Sequence, residues 1–198
     1  MKERGQTLVE TVVVLVIMAL SSVMALPLLG MAHREAALRR VTEQVRSQMW
    51  RARSDAVMTG KATALVFDKL SDGGWRCAVV QDGDDDGVRR SDIATGCDYQ
   101  VGRVLELEVD KATLGFIPDC DIPNPSGDGL LGGDYEDPVR AGSGDILTFT
   151  AQGTATSGTL YFSDGRQMMR AIRVYGITGR LRTLRWNTAW DRWRVTGL

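Results

Sequence analysis

The feature that most constrains this chain is an apolar run close to its N-terminus. Residues 8–29 read LVETVVVLVIMALSSVMALPLL, and Glu10 is the only charged residue among these 22. A helix needs roughly 20 apolar residues to cross the hydrocarbon core of a bilayer, so this run is long enough to span it. Lys2 and Arg4 precede the run, and positive residues favour the cytoplasmic side. We therefore expect a single-pass helix with the rest of the chain outside the cytoplasm.

The carboxylate of Glu10 narrows the interpretation of this run. A charge within a membrane helix costs about 2.5–3.5 kcal/mol on insertion scales, and such charges are usually paired and functional. A cleavable secretory signal fits poorly, because residues 23–25 form a weak cleavage site and Glu10 interrupts the apolar stretch. A plain signal anchor explains the span but gives no role to the carboxylate.

A third interpretation rests on residues 5–10, which read Gly-Gln-Thr-Leu-Val-Glu. They resemble the type III signal of type IV pilins and pseudopilins. The resemblance implies that a prepilin peptidase removes residues 1–5 by cutting after Gly5, and that it methylates the new amino group of Gln6. It also implies that Glu10 pairs with the N-terminal amine of a neighbouring subunit, a pairing that makes a buried charge tolerable. Gln6 departs from the family, where an aromatic residue is common at this position.

A second helical segment follows the predicted transmembrane helix of residues 6–29. Apolar residues recur there at spacings of three and four, which predicts an amphipathic helix over residues 30–60 that ends near Gly60 and packs on a head domain. Pro27 and Gly30 are expected to kink or loosen the junction. The apolar stripe consists of Leu38, Val41, Val45, Met49, Ala52 and Ala56.

Residues 61–198 are expected to form a β-rich head, because short β-prone runs alternate there with Gly- and Asp-rich turns. Residues 118–144 are rich in Pro, Gly and Asp and are predicted to form a long loop. No alternation of strands with helices occurs, so we predict an α+β fold in which a long helix packs on an antiparallel, two-sheet, pilin-like head. The predicted strands are Ala62–Phe67, Arg76–Gln81, Val104–Val109, Ile146–Thr150, Thr159–Ser163, Ala171–Tyr175, Arg180–Trp186 and Trp193–Val195.

The order of elements in the C-terminal half gives a narrower resemblance. Residues 149–153, 159–163, 170–175 and 179–182 resemble the head of GspH/FimT-like minor pseudopilins. This resemblance implies a structural subunit of the periplasmic pseudopilus of a type II secretion system. Its partners would be other pseudopilins or pilins, the prepilin peptidase and the inner-membrane assembly platform. The chain would then reside in the bacterial inner membrane, with its head in the periplasm.

Charge is distributed unevenly along the head. Residues 68–145 carry a net charge of −11, whereas residues 146–198 carry a net charge of +6. In FimT-like proteins a C-terminal Gly-Arg-x-Arg motif is associated with DNA binding during uptake, and Gly179, Arg180 and Arg182 match it. DNA contact through Arg180, Arg182 and Arg185 is therefore one interpretation, since arginine forks bind phosphate. The other is pairing of this basic surface with the acidic middle of the chain or of another subunit.

An acidic cluster follows the second predicted strand. Asp82, Asp84 and Asp86 alternate with other residues and precede a glycine, which matches the start of a calcium loop. The twelfth position of such a loop holds Ile93 instead of Glu, although Asp92 lies one residue earlier. The alternative is an Asp/Gly-rich turn that holds no metal, and no other cofactor is expected.

The three cysteines, Cys77, Cys97 and Cys120, cannot all pair. In an oxidising compartment a Cys97–Cys120 disulfide would tie the long loop to a strand, and a Cys77–Cys97 disulfide would clasp the acidic turn; we favour the first. His33 is the only histidine and is expected near the membrane end of the helix, and no nucleotide-binding or nucleophile motif occurs. We therefore expect a structural protein and not an enzyme.

Overall fold

The computed structural model describes residues 8–127 and 129–196, without the side chains of residues 23–28. A long helix, α1 (Leu8–Thr59), precedes a strand-rich head that also contains a short helix, α2 (Arg90–Thr95). The strands are β1 (Thr63–Lys69), β2 (Trp75–Gln81), β3 (Tyr99–Gln100), β4 (Leu105–Glu106), β5 (Glu108–Val109), β6 (Ala112–Leu114), β7 (Val139–Ala141), β8 (Ile146–Phe149), β9 (Gly158–Ser163), β10 (Met168–Tyr175), β11 (Arg180–Asn187) and β12 (Arg194–Val195).

The apolar stripe of α1 is buried along its whole predicted length. All six predicted stripe residues, from Leu38 to Ala56, have exposed fractions of 0–1%. Helix α1 has 52 residues, which corresponds to about 78 Å at roughly 1.5 Å per residue. It ends as predicted at Gly60, whose φ is +74° and whose N–H donates to the carbonyl of Ala56. Helical backbone continues through Pro27 and Gly30, and a bend at Pro27 stays a prediction.

Part of the predicted membrane segment lies outside the described side chains, since residues 23–28 fall within the run 8–29. Within the described part of the chain, no helix combines the length and the hydropathy that are needed to cross a bilayer.

Two antiparallel sheets share the buried stripe of α1. The first has the strand order β3-β2-β1-β8, with β4 also paired to β2. The second has the order β12-β11-β10-β9-β6-β5, with β7 also paired to β9. The main core combines the helix stripe with Leu65 and Phe67 of β1, Phe162 of β9 and Ile172 of β10. The predicted α+β, pilin-like fold with a two-sheet head is therefore confirmed.

The predicted strand Val104–Val109 is wrong, because the chain crosses between the sheets within it. Strand β4 pairs with β2 in the first sheet, whereas β5 pairs with β6 in the second. Leu107 lies between the two strands with an exposed fraction of 0%, and its N–H donates to the carbonyl of Trp75. The alternation of apolar and exposed residues continues across the crossing, since Glu106 and Glu108 are exposed on either side of Leu107, and this pattern alone predicts one strand.

The stretch 118–144, predicted as a loop, contains one short strand, β7, paired with β9. The part before β7 covers the face of the second sheet that points away from α1. A second apolar cluster forms there and is anchored by Trp193, whose Nε1 donates to the carbonyl of Pro123 at 2.7 Å. The cluster consists of Ile117, Ile122, Leu131, Tyr161, Met169, Ala171, Leu184, Trp186 and Trp193.

Candidate functional site

The N-terminal part of α1 presents an apolar surface that the head does not cover. Glu10 lies in its first turn and is exposed. Large apolar side chains from Leu8 to Leu20 have exposed fractions between 44% and 80%. An apolar surface of this extent marks a region that binds a membrane or neighbouring helices. Gly5 and Gln6, the predicted processing residues, lie outside the described residues.

The acidic turn after β2 is organised by the carboxylate of Asp82, whose residue is 3% exposed. Its Oδ1 accepts the backbone N–H groups of Asp84 at 3.2 Å and of Asp85 at 2.8 Å. Its Oδ2 accepts the N–H of Gly87 at 2.8 Å. The Asp82 carboxylate thus accepts the hydrogen bonds of three turn N–H groups that backbone carbonyls do not accept. Asp82 therefore has a structural role whether or not an ion binds.

A second buried carboxylate, that of Asp98, was not predicted and holds the other side of the same turn. Asp98 is 2% exposed, and it accepts the N–H of Gly83 at 3.1 Å and that of Arg89 at 3.0 Å. A Cβ at Gly83 would lie 1.8 Å from the carbonyl oxygen of Cys97, so only glycine fits there. Nothing in the local sequence distinguishes Asp98 from an exposed loop aspartate.

Three of the four predicted calcium ligands come together. Ligand oxygens of Asp82, Asp84 and Asp86 lie within 4.8 Å of one another. The fourth, Asp92, is not part of this group; its Oδ2 lies 4.0 Å from Nη1 of Arg89, which also pairs with Asp86. Loss of hydration and repulsion from Asp84 and Asp92 raise the pKa of the Asp86 carboxyl, against the opposing effect of Arg89. Carboxylates gathered in this way suit calcium, and calcium binding stays a prediction.

Arg180 and Arg182 of the Gly-Arg-x-Arg motif are exposed on β11 and lie on the face away from α1. The residues directly opposite them on β10 are Tyr175 and Arg173. A hydrogen bond from Arg182 lowers the pKa of Tyr175, and the positive charges of Arg182 and Arg173 add to this effect. We call this surface, formed by Arg173, Tyr175, Arg180 and Arg182, the outer basic face.

Arg185, the third predicted DNA-binding residue, lies on the opposite face of β11. Side chains alternate between the two faces of a strand. Arg185 lies five residues after Arg180 and three after Arg182, so its side chain is on the other face, towards α1. There it lines a small cavity together with Leu38 of α1. The three predicted DNA-binding arginines therefore do not form one surface.

The glycine of the motif has a structural role. Gly179 has a φ of +57°, and a Cβ there would lie 2.4 Å from the carbonyl oxygen of Gly153. The preceding carbonyl, that of Thr178, accepts a hydrogen bond of 3.0 Å from Nη2 of Arg53 on α1. Gly179 thus allows the turn between β10 and β11 to pack against both the neighbouring turn and the helix.

The predicted Cys97–Cys120 disulfide does not form, and neither does Cys77–Cys97, because all three cysteines are free. Cys97 is exposed beside the acidic turn, whereas Cys120 packs against the apolar cluster on the far side of the second sheet. Cys77 lies in the main core, where burial raises the pKa of its thiol to about 12.

Comparison with known proteins gives one match, at the N-terminus. Residues 1–26 match the family described as the prokaryotic N-terminal methylation motif. No curated protein and no solved structure matches the chain. The matched region contains Gly5, Gln6 and Glu10, and a motif of this type indicates a membrane-anchored, pilin-type N-terminus. Proteins of this class are structural, are processed by a prepilin peptidase and assemble with other pilins. The motif is of the type found in type IV pilins and pseudopilins, and the described fold is pilin-like.

Proposed function

We propose that this chain is a minor pseudopilin of a type II protein secretion system. It is inserted in the bacterial inner membrane with its head in the periplasm, cleaved after Gly5, methylated on Gln6 and drawn into a short pseudopilus. The observation that carries this proposal is the match of residues 1–26 to the N-terminal methylation motif. The long helix beneath a two-sheet head supports it, as does the resemblance of the C-terminal half to GspH/FimT-like heads.

Assembly follows from the two surfaces of α1. The exposed apolar surface of residues 8–22 leaves the lipid and packs against the corresponding helices of neighbouring subunits. The carboxylate of Glu10 meets the amine of a neighbouring Gln6, and a buried ion pair of this kind favours one register over others. The stripe from Leu38 to Ala56 keeps the head attached to the same helix. The chain performs no catalysis in this account, and the work is supplied by the assembly platform and its ATPase.

Variants of Glu10 test this proposal in cells that contain the complete machinery. Glu10→Leu removes the charge but keeps the apolar surface, and we expect it to be cleaved normally and to enter fibres at least tenfold less than the parent. Glu10→Asp keeps the charge and is the matched control, with a smaller expected defect. Fibre incorporation is measured by shearing and immunoblotting. Equal incorporation of Glu10→Leu and the parent would overturn the role of the ion pair.

A second candidate function is DNA binding by a FimT-like pilin during uptake. The outer basic face favours it, because Arg173, Arg180 and Arg182 occupy one face of two adjacent strands. DNA affinity supplied by phosphate contacts falls steeply with salt. A gel shift with the full-length chain at low salt should weaken in Arg180→Gln/Arg182→Gln but not in Arg40→Gln/Arg51→Gln, which removes two exposed helix arginines. Failure of the parent to bind at low salt would exclude this candidate.

A further inference from the structure

A small cleft lies between α1 and the strands β10 and β11, at the end of the head nearest the N-terminal part of the helix. Its volume is about 100 Å³. This exceeds the roughly 30 Å³ that one water molecule occupies in the liquid, so the cleft has room for a small tetrahedral oxyanion. Its lining includes Glu35, Leu38, Arg170, Arg185, Trp186 and Trp190.

Two arginines lie opposite each other in this cleft. Arg170 and Arg185 are directly opposite on neighbouring antiparallel strands, and like charges in that arrangement destabilise a sheet. Arg170 is only 7% exposed. Among the described residues its side chain makes no hydrogen bond and no ion pair within 4.0 Å. The Nε of Arg185 is also buried and has no hydrogen-bond partner in the described part of the chain.

Glu35 lines the same cleft and attracts Arg170, but among the described residues it makes no ion pair with Arg170 within 4.0 Å. Loss of hydration lowers the pKa of Arg170, and the charges of Arg39 and Arg185 add to that effect, against the influence of Glu35 and Glu43. Glu43 pairs instead with Arg46, at 3.3 Å. A buried cation that lacks a hydrogen-bonded partner is costly. The arrangement is therefore that of a preformed anion site, in which two planar guanidinium groups can bind one oxyanion through several hydrogen bonds.

We propose that this cleft binds a phosphate group, with Arg170 and Arg185 as its ligands. A lipid headgroup is the favoured source of that phosphate, and this part of the proposal rests on the proposed function, which puts residues 8–29 in the membrane. Glu35 lies six residues beyond Leu29, or about 9 Å along the helix. The headgroup region extends about 5–8 Å beyond the hydrocarbon core, so the cleft lies within one helical turn of it. Trp190, which is partly exposed, is a residue typical of this interface.

The site itself is tested with inorganic phosphate as the probe, on the full-length chain in a non-ionic detergent. We expect the Tm, followed by tryptophan fluorescence, to rise with phosphate concentration by about 5–11 °C at one hundred times the Kd. Arg170→Met should abolish this rise. The same variant should have an unchanged or higher Tm without phosphate, because an unpartnered buried cation is removed. Arg182→Met, which removes an exposed arginine from the outer basic face, should keep the full rise.

Vesicles distinguish the two sources of phosphate. Stronger stabilisation by phosphatidylglycerol vesicles than by phosphatidylcholine vesicles, lost in Arg170→Met, would support a lipid headgroup, whereas a response to inorganic phosphate alone would support a soluble phosphate. An unaltered phosphate response in Arg170→Met would overturn the proposal. Stabilisation by acetate but not by phosphate would also overturn it, because the occupant would then be a carboxylate such as one from another subunit. If the chain binds phosphate but is left uncleaved after Gly5 in cells that contain a prepilin peptidase, the proposed function is refuted and the phosphate site stands.

Discussion

Substitution of Asp82 tests whether the acidic turn after β2 is held by backbone hydrogen bonds or by a metal ion. Asp82→Ala removes the acceptors of three N–H groups, at 3.2, 2.8 and 2.8 Å. A hydrogen bond to a charged group contributes about 1.5–3 kcal/mol. Two of the three donors, those of Asp84 and Asp85, belong to exposed residues and can bind water once they are freed.

Three such bonds at the low end of that range would contribute about 4.5 kcal/mol, and because two of the freed donors can bind water, the expected loss for Asp82→Ala is about 3 kcal/mol in total. For a chain of this size such a loss lowers the Tm by about 6–12 °C. Asp82→Asn keeps one acceptor oxygen but loses the charge, and we expect about half of the effect. Asp84→Ala is the matched control, because its exposed carboxylate accepts no backbone N–H, and it should change stability by less than about 0.5 kcal/mol.

Thermal unfolding of the full-length protein, in calcium and then in chelator, measures these effects. We expect the loss in Asp82→Ala to be equal in both buffers. A loss that disappears in chelator, with a calcium-dependent loss of similar size in Asp84→Ala, would refute the reasoning and would establish the predicted calcium site. An ion bound only by the folded state raises the Tm in proportion to the logarithm of its excess concentration.

Three further predictions concern the core, acid stability and the thiols. Met49→Ala, at a fully buried position of the helix stripe, should cost about 2–5 kcal/mol in urea unfolding, whereas Met58→Ala, at a position 80% exposed, should cost less than about 0.5 kcal/mol. Burial raises the pKa of Asp68, but hydrogen bonds from two arginines lower it overall. The ionised Asp68 therefore stabilises the fold above about pH 4, and this stabilisation is lost as the pH falls through the lowered pKa. Asp68→Asn lacks this carboxylate and should show a flatter acid-unfolding profile. Maleimide at pH 7 should label the exposed Cys97 well before the buried Cys77, and unfolding without reductant should give three labels; a single label would mean that a disulfide forms.

Regular patterns in the sequence were sufficient to predict the long helix and most strands of the head. The helix stripe repeats over five turns, and burial of all its members follows from that period. Most head strands were found because alternation and turn residues bound them. The strand Arg180–Trp186 was predicted, and the alternation of side chains along it is sufficient to separate Arg185 from Arg180 and Arg182, although the three were grouped as DNA ligands.

The missed features are those with no local signal. Asp110 and Lys111 form a tight turn between β5 and β6 with φ values of +49° and +70°; aspartate is common in such turns, but lysine is not a residue that marks them. The chain passes from the first sheet to the second at Leu107, and this passage depends on where the two sheets lie relative to each other, which the local sequence does not specify. The roles of Asp98 and Arg170 depend on partners far away in the sequence, since Asp98 receives N–H groups across the acidic turn and Arg170 opposes Arg185.

The mass of the mature N-terminus tests the central claim most directly. Protein isolated from membranes of cells that contain a prepilin peptidase is digested, and its N-terminal peptide is sequenced by mass spectrometry. The account predicts a peptide that begins at Gln6 and carries one methyl group on its amine. A peptide that still begins at Met1, or one that begins after a cut within residues 23–28, would contradict it.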